Sequence, residues 1–181
     1  MSFAKLDRDQ IVREAVALLR EEGLGAVSLR KVAARLGVSV SSLYWHVADK
    51  DMLLGLMSAS IFRACLDAVR PAPSWQRWLH DFGLALWDAQ IAIPEARQLI
   101  VIARPQEGLA EESLTFILQS LGALGLPRDQ AIVAQRSVQA LVTGWTTLRS
   151  ARPDAVGADR GSFVVALDVL IGGWEARIGQ S

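Results

Sequence analysis

The sequence predicts an all-helical chain, and three observations carry that expectation. Apolar residues recur three and four positions apart in stretch after stretch. Serine and aspartate stand where those stretches begin, and glycine or proline where they end. No stretch reads as a strand with a second strand to pair with.

Taken in order, residues 7–22 form the first helix, with Ile11, Ala15, Leu18 and Leu19 on its apolar face. Asp7 caps it, and Gly23 and Gly25 end it. Ser28 caps a short helix carrying Leu29, Val32, Ala33 and Leu36, which Gly37 stops by taking the left-handed conformation at little steric cost. Ser39 caps the next, holding Val40, Leu43, Tyr44 and Val47, and Asp49 caps a third that runs from Lys50 to about Arg70. Pro71 and Pro73 break the chain there. This break suggests domains at 1–50 and 71–181, joined by a connecting helix over 51–70.

Beyond the break, Ser74 caps a long helix with Trp75, Trp78, Leu79, Phe82, Leu86 and Trp87. Residues 96–102 follow Pro94 as a short helix ending near Arg104-Pro105. Residues 111–124 form another, stopped by Gly125 and Pro127, and 128–150 a longer one. A polar loop then leads to the last helix, residues 162–178, which is apolar around much of its circumference. Such a helix needs more cover than one polar-faced surface helix does, which suggests a partner chain, the plainer alternative being burial inside its own chain.

Residues 28–51 place two short helices around a glycine turn, the spacing of a helix-turn-helix, whose second helix enters the DNA major groove. The residues not needed for packing there are Ser39, Ser41, Ser42, Tyr44, Trp45 and His46, with Arg30, Lys31 and Lys50 alongside. Small hydroxyls let a helix lie close to base edges, and Tyr, His and Lys donate to phosphates. An ordinary helical corner has the same backbone, but a solvated face usually carries Glu and Lys instead.

Net charge is zero, so a basic footprint must come from distribution. Residues 26–50 hold Arg30, Lys31, Arg35 and Lys50 against Asp49 alone, whereas from Asp51 onward 11 Arg face 13 acids. Cys65, the single cysteine, excludes an internal disulfide and fits a reducing, cytoplasmic setting. No apolar run reaches the ~18 residues of a membrane span, and the N-terminus has no apolar signal region.

The run SLRKVAARLGVS followed by SLYWHVADKDMLL, within residues 6–61, resembles the DNA-binding domain of the TetR family of bacterial repressors, and in particular its tetracycline-repressor branch. The resemblance implies an N-terminal three-helix helix-turn-helix domain followed by a helical ligand-binding and dimerisation domain. It assigns Arg30 to a base edge, where an Arg fork bonds guanine bidentately. Val40, Ser41 and Ser42 open the recognition helix, and Tyr44, His46 and Lys50 match phosphate-contacting positions. Trp45 stands between groove contact and packing. Where Val40 and Ser41 lie, that branch has a larger polar residue and a proline, which implies a different operator.

For the second domain the resemblance implies a small-molecule inducer and a homodimer on a palindromic operator. The aromatic and apolar candidates for an inducer pocket are Trp75, Trp78, Phe82, Trp87, Ile100, Phe116, Leu141 and Trp145, each of which serves equally well as core. The dimerisation candidates are Val138, Leu141, Phe163, Leu167, Leu170, Ile171 and Trp174, on two helices that would build a four-helix bundle across a two-fold axis. Tetracycline sensors of the family hold a magnesium chelate with a histidine just before an Arg-Pro pair. Here LIVIA precedes Arg104-Pro105, and the only histidines are His46 and His80. The expected inducer is therefore apolar or aromatic, with no metal and no other cofactor.

The leading expectation is a ligand-responsive repressor. A rival is a helical binding protein or enzyme whose motif is incidental, although no paired carboxylates, nucleophile–histidine pair or phosphate loop stands at informative spacing. A narrower alternative keeps the DNA binding and makes the protein an activator without ligand control.

Overall fold

The computed structural model describes residues 6–93, 95–103 and 108–179, with only the backbone at 100–102. Among these residues every regular element is helical: α1 Arg8–Glu22, α2 Leu29–Leu36, α3 Val40–Tyr44, α4 Lys50–Ala68, α5 Trp75–Ala92, α6 Ala96–Ile102, α7 Leu109–Ala123, α8 Arg128–Ala151 and α9 Arg160–Ile178. A single 3-10 turn, Leu24–Ala26, separates α1 from α2. None of the described helices is long and apolar enough to cross a membrane.

By their contacts the residues form two units, Met1–Ile61 with Glu95–Ala110, and Phe62–Pro94 with Glu111–Ser181. The division falls inside α4, between the expected boundaries at 50 and 70. It also assigns α6 to the first unit, although α6 lies between two helices of the second.

In the first unit α1 is closed at its start by a reciprocal pair of bonds between Asp7 and Gln10. Ile11, Val12, Ala15, Leu18 and Leu19 are buried along one side of α1, and Val27, Leu29, Val32, Ala33, Leu43 and Val47 are buried with them in the unit's core. Opposite charges also tie α1 to α2. Arg35 donates to Glu14 through Nε and to Glu21 through Nη1 at 2.6 Å, and Lys31 donates to Glu22 at 2.6 Å. Two of the four cations of the expected basic footprint are thus paired with α1.

The hydrogen bond from Arg35 holds the Glu21 carboxyl below its ordinary range. A carboxyl whose folded pKa is depressed adds stability above its unfolded value, and the gain disappears as pH falls through the folded value. Replacing Arg35 by glutamine is therefore expected to lower the melting temperature at neutral pH, with the difference shrinking below about pH 4. Melting curves of both proteins from pH 3 to 8 check this, and a gap that widens in acid would refute the pairing. These side chains are exposed enough that the shift is modest.

The second unit packs α5, α8 and α9 together. Gly83 makes their closeness possible: a Cβ there would stand 2.8 Å from Leu167 Cδ2 and 3.2 Å from Val138 Cγ1. The aromatic rings are paired with each other. Trp87 stacks on Phe163 at 4.5 Å between centroids, Trp78 on Phe82 at 5.5 Å, and Trp145 meets Phe163 edge-on at 6.4 Å. A buried polar link joins α5 to α8, where Thr146 donates to Gln90 Oε1 at 2.6 Å and Gln90 Nε2 donates to Thr143 at 3.2 Å. A wetter seam joins α5 to α9 through Gln76–Glu175 at 2.9 Å and Arg160–Asp88 at 3.5 Å.

Two expectations need correction. Recognition helix α3 ends at Tyr44 rather than reaching Val47, although Val47 N–H still bonds Leu43. The last helix starts at Arg160, capped by Asp159, whose carboxylate accepts from Ser162 N–H at 3.0 Å; Ser162 is inside it. Among the dimerisation candidates, Val138, Phe163, Leu167 and Ile171 are buried within their own chain, and Leu141, Leu170 and Trp174 are half-buried against that same core. An apolar helix surface packs first on the nearest neighbour of its own chain, which here is α5 or α8.

Candidate nucleic-acid interface

Each helix of the motif is set by a local cap. Ser28 accepts from Lys31 N–H at 3.3 Å, and Ser39 accepts from Ser42 N–H at 3.1 Å. Asp49 accepts from Met52 N–H at 2.7 Å, fixing the start of α4. Between the first two, Gly37 takes φ 68° and ψ 28°, and Val38 N–H reaches back to Ala33. These closures matter because α3, at five residues, is far too short to persist alone. The burial of Leu43 and Val47 and the caps hold it in place.

Packing Leu43 inward turns the other side of α3 outward. Ser41 is exposed, Tyr44 is 55% exposed and Trp45, just past the helix, is 88% exposed. Trp45 therefore does not serve as packing within this chain. Val40 and Ser42 are half-buried, and the Ser42 hydroxyl lies 2.8 Å from that of Ser39. His46 is half-buried, while Arg30 and Lys50 are exposed and have no ion-pair partner among the described residues. The structure thus brings Arg30, Ser41, Tyr44, Trp45 and Lys50 to the surface of one small unit.

One contact there was not expected. Arg8 Nε donates to the His46 carbonyl at 3.3 Å, joining the first turn of α1 to the end of the recognition segment, 38 residues away. Nothing in the local pattern around Arg8 signals this bond.

The pocket candidates divide differently. Trp75, Trp78, Phe82 and Trp87 are at most 8% exposed, and Trp78, Phe82 and Trp87 belong to the paired rings described above. Trp145 donates its indole N–H to the Gly157 carbonyl at 3.1 Å, holding the loop before α9. Phe116 is half-buried beneath the Arg63 guanidinium at 5.1 Å, and Leu141 is half-buried on α8. The side chain of Ile100 and the Arg104-Pro105 pair lie outside the described residues.

A capped three-helix unit with an exposed hydroxyl and aromatic face and free cations beside it has the build of a helix-turn-helix domain. Residues 11–57 match the family model described as bacterial regulatory proteins, tetR family. The chain belongs to the TetR family. It is 34% identical over 148 residues to an HTH-type transcriptional regulator of Saccharopolyspora erythraea, covering 80% of this chain and 61% of that protein. It is 31% identical over 123 residues to the class D tetracycline repressor protein of Escherichia coli, covering 65% of this chain and 56% of the repressor. The chain therefore spans less than two thirds of the length of either curated relative. Among solved structures, a TetR variant of Acinetobacter baumannii AYE in complex with minocycline superposes with a TM-score of 0.76 at 28% identity, over 95% of this chain and 98% of that one.

Proposed function

We propose that the chain is a homodimeric transcriptional repressor that binds a palindromic operator and is released by an apolar or aromatic small molecule. The observation that carries this is the outward face of α3, with Ser41, Tyr44 and Trp45 presented by a capped helix between the unpaired cations Arg30 and Lys50. Arg30 and the start of α3 read bases, and Tyr44, His46 and Lys50 hold phosphates. No catalytic role is assigned to any residue.

Dimerisation is supported by the apolar residues that the core leaves uncovered. On α8, Val133 is 51% and Leu148 42% exposed, with Ala140 and Gly144 exposed between them. On α9, Val165 is 63% and Val169 71% exposed, followed by exposed Gly172 and Gly173. Ala140, Gly144 and Leu148 stand four apart with Val133 two turns before them, and Val165, Val169 and the Gly172–Gly173 pair keep a similar spacing, so each helix presents a stripe of small and branched side chains that lets a second copy approach closely. A symmetric dimer then presents two heads to two half-sites. The inducer site belongs to the second unit, where half-buried Phe116 and Leu141 remain the best candidates; binding there shifts the population away from the operator-competent arrangement.

Selection from random duplexes tests the reading. An enriched inverted repeat with half-sites about one helical turn apart supports it, and no enrichment at low salt refutes it. On that operator, Arg30→Ala is expected to relax preference at one position per half-site, at about 1–3 kcal/mol each. Lys50→Ala should instead weaken binding to all sequences alike and flatten the salt dependence by about one ion per site. Competition titrations at several salt concentrations separate the two, and identical behaviour would undo the division of roles.

A further inference from the structure

The junction between α1 and α2 is held by a carboxylate from far along the chain. Glu95 is the N-cap residue of α6, yet its side chain makes no bond to that helix. Its Oε2 accepts instead from the backbone N–H of Leu24, 71 residues earlier. The same carboxylate covers Gly23, where a Cβ would stand 3.0 Å from Oε2 and 3.4 Å from Oε1. Gly23 has φ 84° and ψ 170°, a region open almost only to glycine. Leu24 begins the 3-10 turn, which has no side-chain cap from its own N-cap residue, so its N–H needs an acceptor from elsewhere.

The segment leading from that turn into α2 is short and stiff. Val27 is fully buried, Ser28 caps α2, and Arg30 is the second residue of that helix. A shift at Leu24 therefore reaches Arg30 through six residues with little slack. The segment that supplies the acceptor, Glu95–Ala110, groups with Met1–Ile61, while the helices on either side of it in sequence belong to the other unit.

We propose that Glu95 is a positioning residue for operator binding: its carboxylate fixes the Gly23–Leu24 turn from which α2 and Arg30 extend. The proposal rests on the operator-binding reading above and adds a residue that touches no DNA.

The test compares the full chain with Glu95→Ala and Glu95→Gln. Affinity is measured for the selected operator and for a scrambled duplex, together with hydrogen exchange at the Leu24 amide. Glu95→Ala is expected to lose protection at Leu24 and to bind operator about tenfold more weakly, as for loss of a charge-assisted bond. Its affinity for the scrambled duplex should not change. Glu95→Gln keeps an oxygen acceptor and should restore Leu24 protection and most of the operator affinity. The proposal is overturned if Glu95→Ala binds operator like the parent, if Leu24 exchange is unaltered, or if operator and scrambled binding fall together in both variants. If the parent itself prefers no duplex, the operator reading fails, whereas unaltered Leu24 exchange in Glu95→Ala shows that the contact itself is idle.

Discussion

Replacing Phe163 by alanine is expected to remove about 3–5 kcal/mol of stability, a large share of what a domain of this kind has. Phe163 is fully buried on α9, stacked on Trp87 of α5 and edge-on to Trp145 of α8, so one ring fastens three helices. Its loss leaves a cavity that the neighbours cannot fill by rotation, because Trp145 is held by its bond to Gly157 and Gly83 already brings the helices close. Urea unfolding followed at constant protein concentration checks this, with a melting temperature roughly 10 °C lower as the second sign. A loss under about 1 kcal/mol would mean that the three-ring cluster is not the centre of this unit.

The second large effect concerns assembly. Val169→Glu places a charge where α9 is proposed to meet its symmetry mate. Because Val169 is 71% exposed in the single chain, the fold itself has no reason to suffer. A buried, unpaired carboxylate on each side of a two-fold axis disfavours association by roughly 3–5 kcal/mol. The expected result is a monomer at micromolar concentration by sedimentation, with unchanged helical content and operator binding reduced to the level of a scrambled duplex. A variant that stayed dimeric would place the interface elsewhere.

Both substitutions lie on α9, and together they show where sequence reading stops. An apolar helix with no polar face announces that it is covered, but its pattern does not say which side is covered by its own chain. Phe163, Leu167 and Ile171 proved to face inward, while Val165 and Val169, each two residues past an inward-facing one and so on the opposite side of the helix, face outward. The aromatic candidates posed the same question. Six tryptophans are consistent with a ligand cavity or with a core; Trp87 and Trp145 meet Phe163 from two other helices, and Trp78 stacks on Phe82 of its own helix. The basic footprint was overcounted for a related reason, since the partners of Lys31 and Arg35 lie on a different helix.

By itself the sequence determined the helical class, most helix starts and the turn of the recognition motif. Those features are local: a cap needs only a hydroxyl or carboxylate and an N–H three residues on, and a left-handed turn needs only a glycine such as Gly37. Tertiary structure alone decided which face of α9 is free, which cations remain unpaired near α3, and that Arg8 and Glu95 serve the same small unit from 38 and 71 residues away. Those outcomes depend on which groups long-range packing brings together, and contacts of that separation leave no periodicity in the chain.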